Sequence, residues 1–240
     1  MAMSAFALSF GWVARWRRDP RTPPRDFLRA RGKFHARLPE GRLPFQRYVV
    51  FDLETTGLSP SRGDAIVSIG AVRVDNAALT EDRFSTLVDP GRPIPPDSTR
   101  YHGITDAMVQ GAPGETEAVA AFAAFAEGCV LVAHNAAFDM TCLAAAEYRG
   151  APPLPNPALC SLVLSQWLDP AEPDHSLDGL ATRMDEVIPG RHDALGDALA
   201  TAAIFVRLLA RADARGVDDL TELFRRTRMA ARVADGAEMF

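Results

Sequence analysis

The sequence has few cysteines and no long apolar run, and each shortage excludes a class of protein. Its three cysteines, Cys129, Cys142 and Cys160, are odd in number and show no CxxC spacing. Such cysteines are typical of small, reduced core residues, and they argue against a zinc site or a disulfide framework. No stretch is apolar enough to span a membrane. Residues 1–14 are apolar, but positive charges follow them, which is the reverse of a secretory signal. We therefore expect a cytoplasmic protein without membrane contact.

The net charge of −5 conceals a basic N-terminal arm and an acidic body. Residues 1–47 hold 11 Arg or Lys against three acids, whereas residues 48–240 hold 15 against 28. An acidic body with a basic arm suits a metal-dependent enzyme that acts on a polyanion. A solvated tail explains the arm equally well. Residues 1–14 are interpreted as a frayed terminus, with a short docking helix for a partner as the alternative.

The length of 240 residues fits one domain plus an extension. We expect a basic, Pro- and Arg-rich extension over residues 1–46, with one short helix near Asp26–His35. The folded domain is expected over residues 47–212. A C-terminal helix and tail follow over residues 213–240.

The apolar pattern predicts an α/β domain with a mixed sheet. Strands near 47–53, 65–74 and 83–88 form an antiparallel meander, and a loop with four prolines covers residues 89–101. The apolar run Cys129–Ala133 is a further, buried strand. Helices are predicted near 116–127, 136–148, 158–167, 176–184 and 194–212. A meander followed by alternating strands and helices indicates a mixed central sheet flanked by helices.

The stretch FDLETTGL, residues 51–58, carries the first chemical signal. Asp52 and Glu54 are two residues apart on a predicted strand, so both carboxylates leave the same face. Such a pair is often an ordinary solvated face. Here an apolar run precedes it, and burying paired carboxylates without a cation is costly. Hard oxygen ligands of this kind suit Mg²⁺ or Mn²⁺.

Two later segments add acids and a histidine. In HNAAFD, residues 134–139, Asn135 begins a helix and puts Asp139 in its first turn, where an acid is more often a dipole partner than a ligand. In HDALGD, Asp193 is the predicted cap of an apolar helix, and Asp197 interrupts that helix one turn in. His192 belongs to the preceding loop, where it can activate a water molecule or be an ordinary loop residue.

These motifs resemble those of the DEDDh 3′–5′ exonucleases of the RNase H-like superfamily, the DnaQ-like group that contains the bacterial epsilon proofreading subunit. FDLETTGL (51–58), HNAAFD (134–139) and HxxxxD (192–197) occur in the family order at similar spacings, and YHGIT (101–105) is a weaker fourth. The resemblance covers about residues 47–212. The ordered set is far more specific than one motif.

The resemblance implies a two-metal site with two Mg²⁺ or Mn²⁺ ions. By this resemblance, Asp52, Glu54 and Asp197 hold one ion, Asp52 bridges to the second, and Asp139 supports the second. His192 deprotonates or positions the attacking water. All five catalytic positions are present.

The resemblance also implies a substrate surface made by Thr55, Thr56 and Leu58, which would contact the terminal nucleotide. His102 either touches substrate or braces its loop, and we favour the brace. His134 and His175 are expected to be structural, and His35 belongs to the arm. Single-stranded DNA or a frayed 3′ end is the expected substrate, because the Thr55-Thr56 pair resembles the epsilon and repair groups.

Two other functions remain open: an RNA 3′-end trimmer on the same site, and a non-catalytic nucleic-acid-binding or polymerase-associated scaffold. A scaffold would be expected to have lost a carboxylate, and none is lost. With 46 residues before the domain and no recognisable clamp-binding peptide, the chain is expected to be a stand-alone epsilon-like exonuclease. A polymerase or repair partner would bind through residues 1–46.

Overall fold

The computed structural model of the protein describes residues 22–32 and 38–237. The expectations for residues 1–14 and for His35 lie outside these described residues.

A five-stranded mixed sheet forms the centre of the described chain. Its strands are β1 (Tyr48–Thr55), β2 (Ile66–Asp75), β3 (Ala78–Leu87), β4 (Val130–Ala133) and β5 (Ala158–Cys160). The order across the sheet is β3-β2-β1-β4-β5, with β1, β2 and β3 antiparallel and β4 and β5 parallel to β1. The predicted meander and mixed sheet are confirmed. The third strand begins five residues before its predicted start, and β5 occupies residues where a helix was predicted to begin.

Helices cover both faces of this sheet. They are α1 (Arg25–Gly32), α2 (Pro96–His102), α3 (Asp106–Val109), α4 (Glu115–Phe125), α5 (Ala136–Tyr148), α6 (Ser161–Leu168), α7 (Leu177–Met184), α8 (Ala194–Ala214) and α9 (Leu220–Ala237). A proline-rich loop was predicted over residues 89–101; residues 89–95 form a loop, but the prediction is wrong for residues 96–101, which belong to α2. Prolines fit the start of a helix because the first backbone N–H groups have no acceptor within the helix, so the missing N–H of proline costs no helical hydrogen bond. Pro95 and Pro96 occupy the N-cap and first helical positions.

Alternate residues of β1 fill two different cores. Tyr48 and Val50 face α8, where the Tyr48 ring lies 5.0 Å from that of Phe205. Phe51 lies on the opposite face, and its ring centroid is 5.1 Å from that of Phe122 in α4. A strand that is buried on both faces has a continuous apolar sequence, and the first four residues of β1 are all apolar or aromatic. The side-chain period of two then directs the next even-numbered residue, Asp52, toward α8.

Part of the predicted extension packs onto the domain. Phe27 of α1 meets Tyr148 of α5 edge to face, with ring centroids 5.3 Å apart. Leu43 is fully buried, and its carbonyl accepts a 2.8 Å hydrogen bond from the Tyr48 hydroxyl. The packed body therefore reaches N-terminal of residue 47.

Within the described ranges, none of the helices combines the length and apolar character that a membrane span requires.

Candidate active site

Three carboxylates meet on the α8 side of β1. Asp52, Glu54 and Asp197 each offer an oxygen, and the three atoms lie within 4.8 Å of one another. Asp52 is partly exposed, whereas Glu54 and Asp197 are buried. The strand supplies two acids by its alternation, and the first turn of α8 supplies the third. These are three of the four acids expected to hold metal.

A glycine in the neighbouring strand lets α8 approach this closely. Gly70 of β2 pairs directly with Asp52. A Cβ atom built at Gly70 would lie 2.2 Å from the carbonyl carbon of Ala194 and from the backbone nitrogen of Leu195. The start of α8 therefore rests on the sheet backbone. This role of Gly70 was not predicted from the sequence, although a glycine inside a strand signals a close backbone approach.

Asp139 lies beside this cluster in the first turn of α5 and is 3% exposed. It follows Asn135, which begins the helix from the left-handed region at φ 62°, a conformation that asparagine tolerates. The negative charge of Asp139 helps to raise the pKa of Asp52. The two carboxylates are thus electrostatically coupled, although Asp139 is outside the set of three oxygens within 4.8 Å.

Burial is the main cause of raised pKa values at all four acids of the site. Burial, then the charges of Asp139, Glu54 and Asp197, raise the pKa of Asp52 well above its ordinary value. Burial and the charge of Asp197 raise the pKa of Glu54 to about 8, and burial raises that of Asp139 to about 7. The pKa of Asp197 is also raised by burial. Without a cation, Glu54 and Asp139 therefore retain protons near neutral pH.

A divalent cation fits these donors. Among the described residues, the Oδ1 atom of Asp197 is buried and has no hydrogen-bond partner. An unpaired buried carboxylate oxygen is costly, and a cation bound there would remove that cost. The donors are all hard oxygens, the type that Mg²⁺ and Mn²⁺ prefer.

His192 lies in the loop before α8, as predicted. Its φ of 64° is uncommon for a residue other than glycine. Its backbone N–H donates to Asp197 Oδ2 at 3.3 Å, and its ring centroid lies 4.0 Å from that of Tyr101. Asp193 caps the helix by accepting from the Gly196 N–H at 2.9 Å, which confirms the predicted cap.

Arg191 is a component of the site that our sequence reasoning missed. Its Nη1 atom donates to Asp197 Oδ2 and lies 3.2 Å from Nδ1 of His192. Its positive charge lowers the pKa values of Asp52, Glu54 and Asp197, against the larger effect of burial. An arginine beside a motif histidine has no distinguishing spacing, so nothing in the sequence pattern indicated this role.

The turn after β1 presents one apolar side chain to solvent. Leu58 is 85% exposed. The Thr55 hydroxyl donates to the carbonyl of Gly57 at 2.8 Å, and the Thr56 hydroxyl accepts from the Ala65 N–H at 3.0 Å. Asp64 accepts from the Ser59 N–H at 2.8 Å and closes the turn. Both threonine side chains therefore stabilise the turn that projects Leu58.

His102 ends α2 beside this turn. Its Nδ1 atom accepts a 3.0 Å hydrogen bond from the Ile104 N–H, which supports a bracing role for the ring. Ser98 of the same helix donates to the carbonyl of Thr56 at 2.9 Å, so α2 is tied to the turn. Two more histidines of the described ranges have partners in α6: His134 Nδ1 lies 3.0 Å from Ser161 Oγ, and His175 Nδ1 lies 2.8 Å from Ser165 Oγ.

Comparison with known proteins places this site in a family. The Exonuclease (RNase T) family model matches residues 49–205. A DNA polymerase III subunit epsilon-like protein of Rhodobacter capsulatus is 49% identical over 183 residues, which are 75% of this chain and 26% of that protein. A PolC-type DNA polymerase III of Caldanaerobacter subterraneus is 38% identical over 73% of this chain and 12% of its own length. The chain thus spans 26% and 12% of the lengths of these two curated relatives.

Solved structures show the same fold. Exonuclease X, in complex with 5′ overhanging duplex DNA, is 30% identical with a TM-score of 0.55, over 69% of this chain and 92% of that chain. Exonuclease I of E. coli with a dT13 oligonucleotide has a TM-score of 0.60 at 18% identity, over 70% and 42% of the two chains. The family match and the similarity to exonuclease X confirm the resemblance inferred from the motifs. The chain belongs to the exonuclease family and has the RNase H-like fold of the DnaQ-like 3′–5′ exonucleases.

Proposed function

We propose that this protein is a metal-dependent nuclease that removes nucleotides from the 3′ end of single-stranded or frayed DNA and releases nucleoside 5′-monophosphates. The observation that carries this proposal is the meeting of Asp52, Glu54 and Asp197 within 4.8 Å, with Asp139 and His192 beside them. An acidic cluster of this kind repels a phosphodiester unless cations bind to it first.

The four acids would bind two metal ions. Asp52, Glu54 and Asp197 would hold one Mg²⁺ or Mn²⁺ ion, and Asp52 together with Asp139 would hold a second. When bound, the two cations polarise the phosphate and stabilise charge on the attacking and leaving oxygens. The strand and the two helices that carry the acids keep their oxygens in position before substrate arrives.

His192 serves as the general base that accepts a proton from the attacking water. A guanidinium group can only donate, so the contact of Arg191 with Nδ1 places the proton of a neutral His192 on Nε2. A ring held in this way has no free lone pair for a proton. Base function therefore requires the His192 ring to turn away from Arg191 when substrate binds.

Leu58 meets the terminal base. An exposed leucine is costly to hydrate, and contact with a nucleobase would remove its surface from water. The backbone of Thr55 and Thr56 contacts the terminal nucleotide from the same turn. DNA is favoured as the substrate because the two solved nucleases described above are complexes with DNA.

The N-terminal segment, residues 1–46, adds affinity for a polyanion or for a polymerase or repair partner. This segment holds 10 Arg or Lys against three acids, whereas the rest of the chain is acidic. The curated relatives named as DNA polymerase III proteins support a partner in replication or repair.

Digestion of 5′-labelled single-stranded DNA and RNA of one sequence tests this function. Wild-type protein with Mg²⁺ is expected to give a ladder that shortens from the 3′ end of DNA, with nucleoside 5′-monophosphates as products. EDTA and the substitution Asp52→Asn should each abolish the ladder. Faster degradation of RNA than of DNA would favour the alternative function of RNA 3′-end trimming. If both DNA and RNA stay intact, a nuclease function is contradicted.

A further inference from the structure

Arg191 joins two carboxylates that belong to different helices. Its Nε atom lies 3.1 and 3.2 Å from the two carboxylate oxygens of Asp178, in the first turn of α7. Its Nη1 atom donates to Asp197 in the first turn of α8. The Asp178 side chain is 62% exposed, whereas that of Asp197 is 5% exposed. The guanidinium therefore connects a surface anchor to a buried carboxylate of the site.

The two oxygens of Asp197 have different environments. Its Oδ2 atom accepts from Arg191 and from the backbone N–H of His192. Its Oδ1 atom is buried and, within the part of the chain that the structure describes, has no partner. Two donors on one oxygen fix the orientation of the carboxylate and leave the other oxygen free for a cation. Arginine is suited to this task because its donors are held in a rigid planar fork.

The same guanidinium contacts the loop that carries His192. That loop holds His192 at φ 64°, a conformation that needs support from its surroundings. Arg191 is the adjacent residue, and its contacts to α7 and α8 restrain the loop from both sides.

We infer that Arg191, anchored by Asp178, is a positioning residue that orients Asp197 for a divalent cation and holds the His192 loop in place. This inference rests on the proposed metal-dependent nuclease function. The Asp178–Arg191 pair acts through Asp197 and touches neither cation nor substrate. Hydrogen-bond partners of metal ligands commonly alter metal affinity and activity in this way.

Two substitutions test the pair without altering a ligand. Asp178→Asn removes the anchoring charge, and Arg191→Lys keeps the positive charge but removes the fork. Asp185→Asn is the matched control, because Asp185 is an exposed carboxylate at the C-terminal end of the same helix, at a left-handed position that asparagine tolerates. Each variant is assayed for Mn²⁺ affinity by calorimetry, for kcat and KM on single-stranded DNA, and for thermal unfolding.

We expect Asp178→Asn and Arg191→Lys each to weaken Mn²⁺ binding and to lower kcat by about tenfold, with KM nearly unchanged. The control should match the wild type, and the unfolding temperatures should stay close together. Mn²⁺ affinity and kcat equal to those of the control in both variants would overturn the positioning role while leaving the nuclease function intact. A wild-type protein that neither binds Mn²⁺ nor degrades DNA would overturn the nuclease function and the positioning role with it.

Discussion

Gly70 of β2 lies directly opposite Asp52 of β1, so the backbone on which α8 rests is next to a proposed metal ligand. Gly70→Ala would bring a Cβ atom to 2.2 Å from backbone atoms of Ala194 and Leu195. The helix start must then move, and with it Asp197. We expect a loss of about 1–3 kcal/mol in unfolding free energy together with weakened Mn²⁺ binding, measured by urea denaturation and calorimetry.

Gly114→Ala is the control for this substitution. Gly114 has φ −68°, and an added Cβ would meet nothing within 4 Å among the described residues. It should cost less stability than Gly70→Ala and leave Mn²⁺ binding intact. Equal metal affinity in both variants would contradict the role of Gly70 in placing α8.

The raised carboxyl pKa values predict that, in EDTA, stability falls as pH rises. The folded-state pKa values of Glu54 and Asp139 are about 8 and about 7, above their ordinary values of 4.5 and 3.8. The folded protein therefore binds more protons than the unfolded chain between these limits. Their contribution to stability is fully present below the ordinary values and is lost as pH rises through 7 and 8.

Urea denaturation from pH 5 to 8.5 measures this dependence. Unfolding free energy should decline with pH in EDTA, and Mg²⁺ should reduce the decline by binding the ionised acids. Glu54→Gln should flatten the EDTA profile because it removes one titrating group. A profile in EDTA that rises with pH and is unaffected by Glu54→Gln would show that these carboxyls are ionised without metal.

The substitution His192→Ala distinguishes between two roles for this histidine, general base and metal ligand. Removing a general base is expected to slow the single-turnover rate by about 10²- to 10⁴-fold. Mn²⁺ affinity should remain close to that of the wild type, because the imidazole is outside the set of acidic oxygens. Loss of Mn²⁺ binding in this variant would make His192 a metal ligand instead.

Leu58→Ala tests the contact with the terminal base. The side chain is 85% exposed, so its truncation should leave thermal unfolding unchanged while it raises KM for single-stranded DNA. Phe45→Ala is the control: Phe45 is 68% exposed but precedes the opposite end of β1. Equal KM values for the two variants would contradict a contact between Leu58 and the substrate.

Deletion of residues 1–21 tests the basic segment without removing Leu43 or α1 from the packed body. The deletion takes away four arginines. It should reduce the slope of log binding constant against log salt concentration, because a protein that makes fewer phosphate contacts releases fewer counterions when it binds. Filter binding with the Asp52→Asn protein prevents digestion during the measurement. An unchanged slope would contradict a role for these residues in nucleic-acid binding.

Local patterns predicted the parts of the site that depend on one element. The alternation in β1 put Asp52 and Glu54 on one face, and the apolar run before them indicated burial, as the structure has it. The position of Asp139 in the first turn of α5 also followed from local helix signals. Period and capping are properties of neighbouring residues, so one sequence contains them.

Features that depend on contact between distant elements could not be predicted in this way. Gly70 matters because of Ala194, and Arg191 because of Asp178 and Asp197. The short strand Ala158–Cys160 exists because it pairs with β4, and its three residues carry no period of their own. Such relationships arise from packing, which local pattern does not report.

The two-sided burial of β1 has a consequence for how this chain can change. A one-residue deletion between Tyr48 and Asp52 would exchange the faces of the strand, sending carboxylates among Phe51's former neighbours and an aromatic ring toward α8. A two-residue deletion would preserve the faces but draw the acids about 7 Å away from α8. A compensating slide of the strand would break the hydrogen bond between the Tyr48 hydroxyl and the Leu43 carbonyl at the other end of β1. A change of length is therefore expected to be tolerated in the turns rather than within β1, because the strand places the acids and the core residues together.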